Sequence, residues 1–461
     1  MTAPQGAPNN RLFRVNWKGL AAPVLFLFML APANRIYALS CPSPAFEFEQ
    51  KSDAFLQPLN GYDSFESITD VDLSAGCGGE VFSFKLDPWV RNYAPYSVGG
   101  DAQGDHAFFD LKEGWVEVAT DNFDIRVGDQ VLSWGSADGV NPTDVWNSSD
   151  LIDPFSAAKL PAQIIKLAIH PLALEHFIWE FVASPEFRPH RLPIDTYDSA
   201  GSSRAVSPTD SRWLIQSPRL ASIAGVTVPV TYEVTGSNKP NDWQLGTRLR
   251  LMRLSKWDLS FSYSQTTYQM PAIKTQVHGT FAPGLPVLIS LNPNFYRVGT
   301  AGFDAAGSIG EVGVRAEASF RDAISPATSG ARSQVTWATL GMDRSFFFKK
   351  IELYLNAMFV FEDGSSVTSD PYALSVPNFE PWDRDLVLNG EIRFSQKTKA
   401  GLRSVSSFLN NDGWLHPYAS SQLTDSFKVE LAGDFFIGSQ FGFFGQYADN
   451  NRITSDLTFN F

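Results

Sequence analysis

Cysteine and histidine are scarce in this chain, 2 and 6 among 461 residues. The two cysteines, Cys41 and Cys77, have no histidine near them, so no tetrahedral metal set is offered. In an exported chain they suit one disulfide closing an N-terminal loop. Positive charge is also short: Lys and Arg total 36 against 49 Asp and Glu, a net charge of −13. No basic stripe with interleaved aromatics is present, so nucleic acid is not an expected partner. Long apolar runs are missing from the body of the chain. That excludes a helical membrane protein, whose spans need roughly 20 apolar residues each. Catalytic signatures are missing too, with no H-E-x-x-H, nucleophile elbow or phosphate loop. The histidines, His106, His170, His176, His190, His278 and His416, are scattered. Neither an enzyme nor a cofactor is expected. The acidic stretch holding Asp138, Asp144, Asp150 and Asp153 fits no calcium-loop spacing and reads as a solvated surface loop.

Aromatic residues, by contrast, are plentiful. They make up 13% of the chain, with 37 Phe, while mean hydropathy is only −0.12. Much aromatic surface at mediocre hydropathy suits strands that are apolar on one side only. The last nine residues show the pattern. Ile453, Ser455, Leu457, Phe459 and Phe461 fall on one face, and Thr454, Asp456, Thr458 and Asn460 on the other. A period of two is the period of a strand. This ending is similar to the C-terminal signal of bacterial outer-membrane β-barrels, which the barrel-assembly machinery reads. Leu457, Phe459 and Phe461 would carry it.

The alternation recurs upstream, over 257–264, 314–321, 386–395 and 427–436. Its polar faces nominate Arg315, Glu317, Arg321, Glu391, Arg393, Lys428, Glu430 and Asp434. In a soluble sandwich such a face looks at bulk water, and in a barrel it lines a lumen. The strand count separates the two. About 16 to 18 strands follow one another with no helical pattern between them. No linker divides them into two sandwiches, and a closed sheet removes its own edges. The expected fold is therefore all-β, a single transmembrane antiparallel β-barrel. Residues 107–111 and 115–120 are expected to form a hairpin across Lys112, Glu113 and Gly114.

Near the N-terminus, Arg11, Arg14 and Lys18 precede the apolar run 20–32, the layout of a secretory signal. Small residues allow cleavage after Ala33 or after Ser40. The expected organisation is a cleaved signal over 1–40, a periplasmic or first-strand segment over 41–79, and a barrel over 80–461. Cleavage after Ser40 would leave Cys41 first, open to lipidation as well as to a disulfide.

Arg126, Gly128, Gln130, Trp134, Gly135, Asn141, Pro142 and Asp144 spell R-x-G-x-Q-x-x-x-W-G followed by N-P-x-D. This pattern resembles that of an uncharacterised proteobacterial outer-membrane family. The match covers about residues 115–195, with Lys159, Leu160 and Pro161 and residues 185–189 as its continuation. The alginate-export type of barrel is a more distant likeness. The resemblance implies a porin-like barrel. The family often has a basic residue where this chain has Asp129. Read as residues, Asp124, Arg126, Gln130 and Trp134 share a strand face. Gly128 marks a bulge or a close backbone approach. Asn141 and Pro142 start a turn whose amides Asp144 can accept. The motif is thus either a strand-to-loop joint or a lumen patch in contact with a solute.

Three longer irregular segments interrupt the strands, at 135–163, 184–212 and 362–384, and they are expected either to lie outside the cell or to fold inward and narrow the lumen. The second carries Arg188, His190 and Arg191. Its arginines suit an anionic group at a constriction, because a guanidinium is a planar fork of donors, or else they pair with Glu186, Asp195 and Asp198. Counting strands back from a periplasmic Phe461 puts 362–384 on the periplasmic side, so that either one strand after Arg384 is miscounted or the segment is a periplasmic loop able to plug the barrel. The expected function is an outer-membrane channel or export conduit. It would pass a small polar or anionic solute, or an exported polymer, through a charged lumen. The alternatives are a non-conducting anchoring barrel with partner-binding loops and, further off, an outer-membrane hydrolase. Outer-membrane lipid and the assembly machinery are the other expected partners.

Overall fold

Alternating faces let one sheet satisfy two solvents, provided that the sheet closes. In the computed structural model it does. The described residues are 39–57, 64–95, 106–171, 174–192, 204–206, 213, 220–223, 226–234, 240, 242–279, 285, 287–324, 332–366, 384–439 and 442–461. The signal expected over 1–40 lies almost wholly outside them.

Eighteen strands form the sheet. They are β1 (Ala45–Phe55), β2 (Phe65–Gly78), β3 (Phe82–Pro95), β4 (His106–Ala119), β5 (Phe123–Gln130), β6 (Ala162–Ile169), β7 (Phe177–Ser184), β8 (Gln244–Leu254) and β9 (Trp257–Thr267). Then come β10 (Arg297–Ile309), β11 (Val312–Ala323), β12 (Arg332–Phe348), β13 (Ile351–Ser366), β14 (Arg384–Arg393), β15 (Thr398–Ser407), β16 (Asp412–Thr424), β17 (Phe427–Ile437) and β18 (Arg452–Asn460). Each pairs antiparallel with the next. β18 pairs back onto β1, with Phe459 opposite Phe48 and Thr454 opposite Asp53. The seam ends on reciprocal backbone bonds between Phe46 and Phe461. Phe459 stacks on Phe427 at 4.4 Å, and Phe461 lies against Phe46 at 5.9 Å. The last strand is therefore the closing stave.

The two faces differ as a transmembrane barrel requires. Phe261, Phe320, Leu340, Phe359, Leu388 and Leu431 point outward and are exposed. Asp70, Arg248, Asp304, Glu317, Glu391 and Arg452, at alternate positions, point inward and are buried. An even strand count brings the start of β1 and the end of β18 to one end, here called the terminal end. Its connections, such as 255–256, 310–311, 349–350 and 425–426, are tight turns. The long connections 131–161, 185–243 and 268–296 all lie at the far end. From the last two rises a second sheet, built on residues Val226–Val234, Ala272–His278 and Val287–Asn294.

Several sequence expectations change. The barrel begins at Ala45, not at residue 80, so 41–79 supplies β1 and β2. The inward charges Glu47, Glu49, Lys51, Asp53, Asp70 and Asp72 made that region look mixed. Cys41 is joined to Cys77 by a disulfide, which leaves no thiol for lipidation. No hairpin breaks β4. Lys112 bulges opposite Pro88, which has no N–H for the ladder, and the strand runs on. β5 stops at Gln130 and does not continue to Trp134. The segment 362–384 belongs to the far end: five strands follow Arg384, an odd number. β15, with Leu402 as the one large apolar residue on its outward face, shows too faint an alternation to be counted with certainty from sequence. Residues 362–366 close β13, and 367–383 lie outside the described residues.

Candidate functional site: a segment folded across the lumen

Residues 131–161 do not project from the barrel. They fold inward and meet the wall in several sectors. After β5, Gly135 takes φ +100°, and a Cβ there would stand 2.6 Å from the Glu317 carboxylate on β11. With glycine in place, that carboxylate accepts from the backbone N–H groups of Ser136 (3.1 Å), Ala137 (3.2 Å) and Thr143 (2.7 Å). It also accepts from the Thr143 hydroxyl at 2.7 Å. A buried carboxylate needs such a set of donors. The motif thus acquires a physical meaning: its Gly135 and its N-P-x-D turn shape a receptor for one wall carboxylate.

Other contacts extend the docking. Ala137 and Val140 pack on Met358 and Val360 of β13. Asp138 pairs with Arg315 of β11 at 2.9 Å. Trp134 and Trp146 meet edge to face at 5.3 Å and pack on Ile164 of β6. At the opposite wall, Phe155 sits among Trp213, Trp414, Phe436, Phe443, Phe444 and Tyr447, with Phe436 4.4 Å away.

Below that aromatic group lies a buried charge node. Arg452 of β18 has no exposed surface. It donates to Asp153 (2.7 Å) from the crossing segment, to Asp53 (2.9 Å) of β1 and to Asp434 (2.5 Å) of β17. Trp213 covers its guanidinium at 4.7 Å. Lys51 reaches both Asp53 and Asp153, and His416 meets Asp434 at 2.8 Å. Burial by itself raises the Asp153 carboxyl, but the Arg452 and Lys51 charges win and hold it well below the usual carboxylate range.

A second ladder of ion pairs climbs the wall beside it. Arg91 makes a bidentate contact with Asp70, at 2.8 and 2.6 Å. Arg191 pairs with Asp150 at 2.8 Å and lies 3.6 Å from Asp110, which Arg188 also engages. The Arg188 and Arg191 forks are therefore occupied, by carboxylates other than the three considered from sequence. Nor is most of the acidic stretch solvated: Asp150 and Asp153 are buried, Asp144 is half-buried, and Asp138 alone of the four is exposed. Asp138, Asp144, Asp150 and Asp153 pair with Arg315, Lys159, Arg191 and Arg452. His190 is half-buried, accepts from the Ser149 N–H at 2.8 Å, and is pushed down to about 4, mainly by desolvation and also by the Arg321 charge.

The remaining candidates divide by role. Gln130 is buried and donates to the Ile164 carbonyl, so it clips the start of the segment to β6. Gly128, at φ +136°, lies so close to Gly114 that a Cβ would stand 2.2 Å from its carbonyl oxygen. Asn141 and Asp144 form the turn through their backbones, while the Asp144 side chain goes to Lys159. Arg126 pairs with Glu117 and covers Trp115, and Asp124 meets His170 at 2.8 Å near the terminal end. Glu391 collects Arg393, Lys399 and Tyr418, while Lys428 pairs with Glu430. Sequence reasoning missed Asp53, Asp70, Arg91, Arg248, Asp304 and Arg452. The signal for Arg452 was present, since it continues the polar face of Thr454 and Asp456 by one step.

Space remains on both sides of the crossing segment. Toward the terminal end, a cavity of about 290 Å3 is lined by Glu49, Asp70, Arg91, Arg403, Glu430 and Asp456. Toward the far end, one of about 460 Å3 is bounded by Arg321, Trp337, Tyr268, His190 and Glu362. At the terminal rim a groove of about 850 Å3 gathers Lys349, Lys350, Arg393, Lys397, Lys399 and Lys428.

The chain belongs to the family described as "Protein of unknown function (DUF1302)", whose pattern matches residues 49–461. No curated protein matches it. Among solved structures it is similar to OccAB3 of Acinetobacter baumannii, at 9% identity and TM-score 0.50, over 92% of this chain and 100% of that one. OccAB1 of the same organism has 7% identity and TM-score 0.49, over 91% and 96%. Wzi of Escherichia coli, described as an outer membrane protein involved in group 1 capsule assembly and a carbohydrate-binding β-barrel, has 11% identity and TM-score 0.46, over 91% and 84%. At such identities the similarity to OccAB3 speaks for the fold alone, and the other two add nothing to it.

Proposed function

We propose that this protein is an outer-membrane channel for small polar or anionic solutes, gated by residues 131–161. The barrel lies in the membrane with its terminal end toward the periplasm. The observation that carries this reading is the crossing segment itself, held to opposite walls by ion pairs, with polar cavities on both sides. An anchoring barrel needs no polar lumen on both sides of a plug, whereas a selective channel does. At the terminal rim six cations stand against Glu352, Glu391, Asp425 and Glu430, and the net positive field that remains favours anions at that mouth. Planar-bilayer recording of the purified full chain tests the proposal. Small, brief openings are expected from the wild type, and larger steady ones after Asp153→Asn, which weakens the latch. Silence from both proteins at every voltage would count against a channel.

The far-end sheet favours a second reading, in which the long connections bind a partner outside the cell. A barrel that stays silent yet retains an extracellular partner in pull-down from intact cells would support it.

A further inference from the structure

Four arginines are buried among the described residues: Arg91, Arg248, Arg321 and Arg452. Three are matched by carboxylates, Arg91 by Asp70, Arg248 by Asp304, and Arg452 by Asp53, Asp153 and Asp434. Arg321 is not. It lies inside the lumen near the far end of β11, 8% exposed, and no carboxylate of a described residue is within ion-pair distance. Its guanidinium is stacked on Tyr268 at 4.3 Å, and its Nε has no acceptor. It opens on the far-end cavity of about 460 Å3, a volume in the range of small-molecule sites. Trp337, on the same wall, also has an indole N–H without an acceptor. Leaving a buried guanidinium uncompensated is costly, and a bound anion removes that cost.

We infer that this cavity binds an organic monoanion, with its planar oxyanion on Arg321 and an apolar, ring-sized body between Tyr268 and Trp337. The apolar part of the lining, Val140, Val298, Met270 and Phe443, gives the body its surroundings. Trp337 can add a neutral donor to the anion. Glu362 and Asp144 line the same space, and Asp144 is already paired with Lys159. Their charges act against a second negative group on the ligand, so a dianion is disfavoured. This inference deepens the channel reading and rests on it for its physiological meaning, while binding itself is measurable apart from conduction.

Calorimetric titration of the detergent-purified full chain at pH 7 tests it, with benzoate, its neutral isostere benzamide and the dianion phthalate as probes. Benzoate is expected to bind at least about tenfold tighter than benzamide, because a charge-assisted fork is lost in the amide. Arg321→Gln is expected to abolish that preference, and phthalate to bind more weakly than benzoate. No heat from benzoate, equal binding of benzoate and benzamide, or an unchanged preference in Arg321→Gln would overturn the site. Equal binding of phthalate would overturn the monoanion assignment. If Arg321→Gln does not fold, the benzoate–benzamide contrast in the wild type still decides. Benzoate binding by a barrel that never conducts would sink the channel and leave the site. Conduction without benzoate binding would sink the site and leave the channel.

Discussion

Arg452 and Arg321 are both buried in the lumen, yet their surroundings are opposite. Arg452 is ringed by Asp53, Asp153 and Asp434 and capped by Trp213. Arg321 has an aromatic ring beneath it and a cavity in front. A cation whose carboxylates come from different parts of the chain ties those parts together. A cation with none among the described residues can recruit a ligand. The first arrangement locks the crossing segment, and the second leaves a place to bind.

The largest effect that would sharpen this contrast is removal of the saturated cation. Arg452→Met leaves three buried carboxylates with only Lys51 and His416 against them, a loss of about 3–5 kcal/mol for a broken buried pair. The temperature at which the folded band disappears on a detergent gel should fall steeply, and conductance should rise. Arg321→Gln, by the same measurement, should leave that temperature unchanged or higher. Equal losses in the two variants would erase the distinction.

Next in size is the receptor for Glu317. Glu317→Gln replaces a charged acceptor of four donors, at a cost of about 1–3 kcal/mol. Gly135→Ala should act alike, since its Cβ would collide with the same carboxylate from a left-handed backbone. Both should speed proteolytic cleavage within 131–161 while the barrel stays intact. Cleavage at the wild-type rate in Gly135→Ala would contradict the docking of this segment on Glu317.

A smaller effect follows from His190, whose folded value of about 4 lies below its ordinary 6.5. Between these values the unfolded chain takes up a proton that the folded chain refuses. Its contribution is therefore complete above about pH 6.5 and is lost as pH falls toward 4. The unfolding temperature should drop over that window. His190→Asn, which keeps an acceptor for the Ser149 N–H, should show a shallower drop. Parallel profiles for the two proteins would exclude His190 as the cause.

Smallest of all is the exposed pair at the terminal end. Lys397 holds the Asp425 carboxyl below its usual range through a 2.8 Å contact in open solvent. Water and salt screen such pairs. Asp425→Asn should leave both unfolding temperature and conductance within error of the wild type. A clear shift in either would show that surface charge matters here as buried charge does.

Much of the wall was legible in the sequence because facing is a local property. On β11, the order Arg315, Glu317, Ser319 and Arg321 against Val314, Ala316, Ala318 and Phe320 separates two solvents without knowledge of any neighbour. β15 and β4 were harder: one lacks large apolar residues, and the other carries a bulge that imitates a turn. An inward-folded loop was one of two options the sequence left open, but neither its identity as 131–161 nor its partners were legible. Its acids looked solvated because their cations lie on other strands, with Asp153 and Arg452 299 residues apart and Ser136 and Glu317 181 apart.

The amino-acid sequence by itself determined most of the strands, their two faces and the closing stave at Ile453–Phe461, since a period of two is set residue by residue. Only the tertiary structure decided that residues 131–161 turn into the lumen, which charges cancel there, and that Arg321 meets no carboxylate of a described residue. Those outcomes depend on closure of the barrel, which brings distant inward faces within a few ångströms of one another.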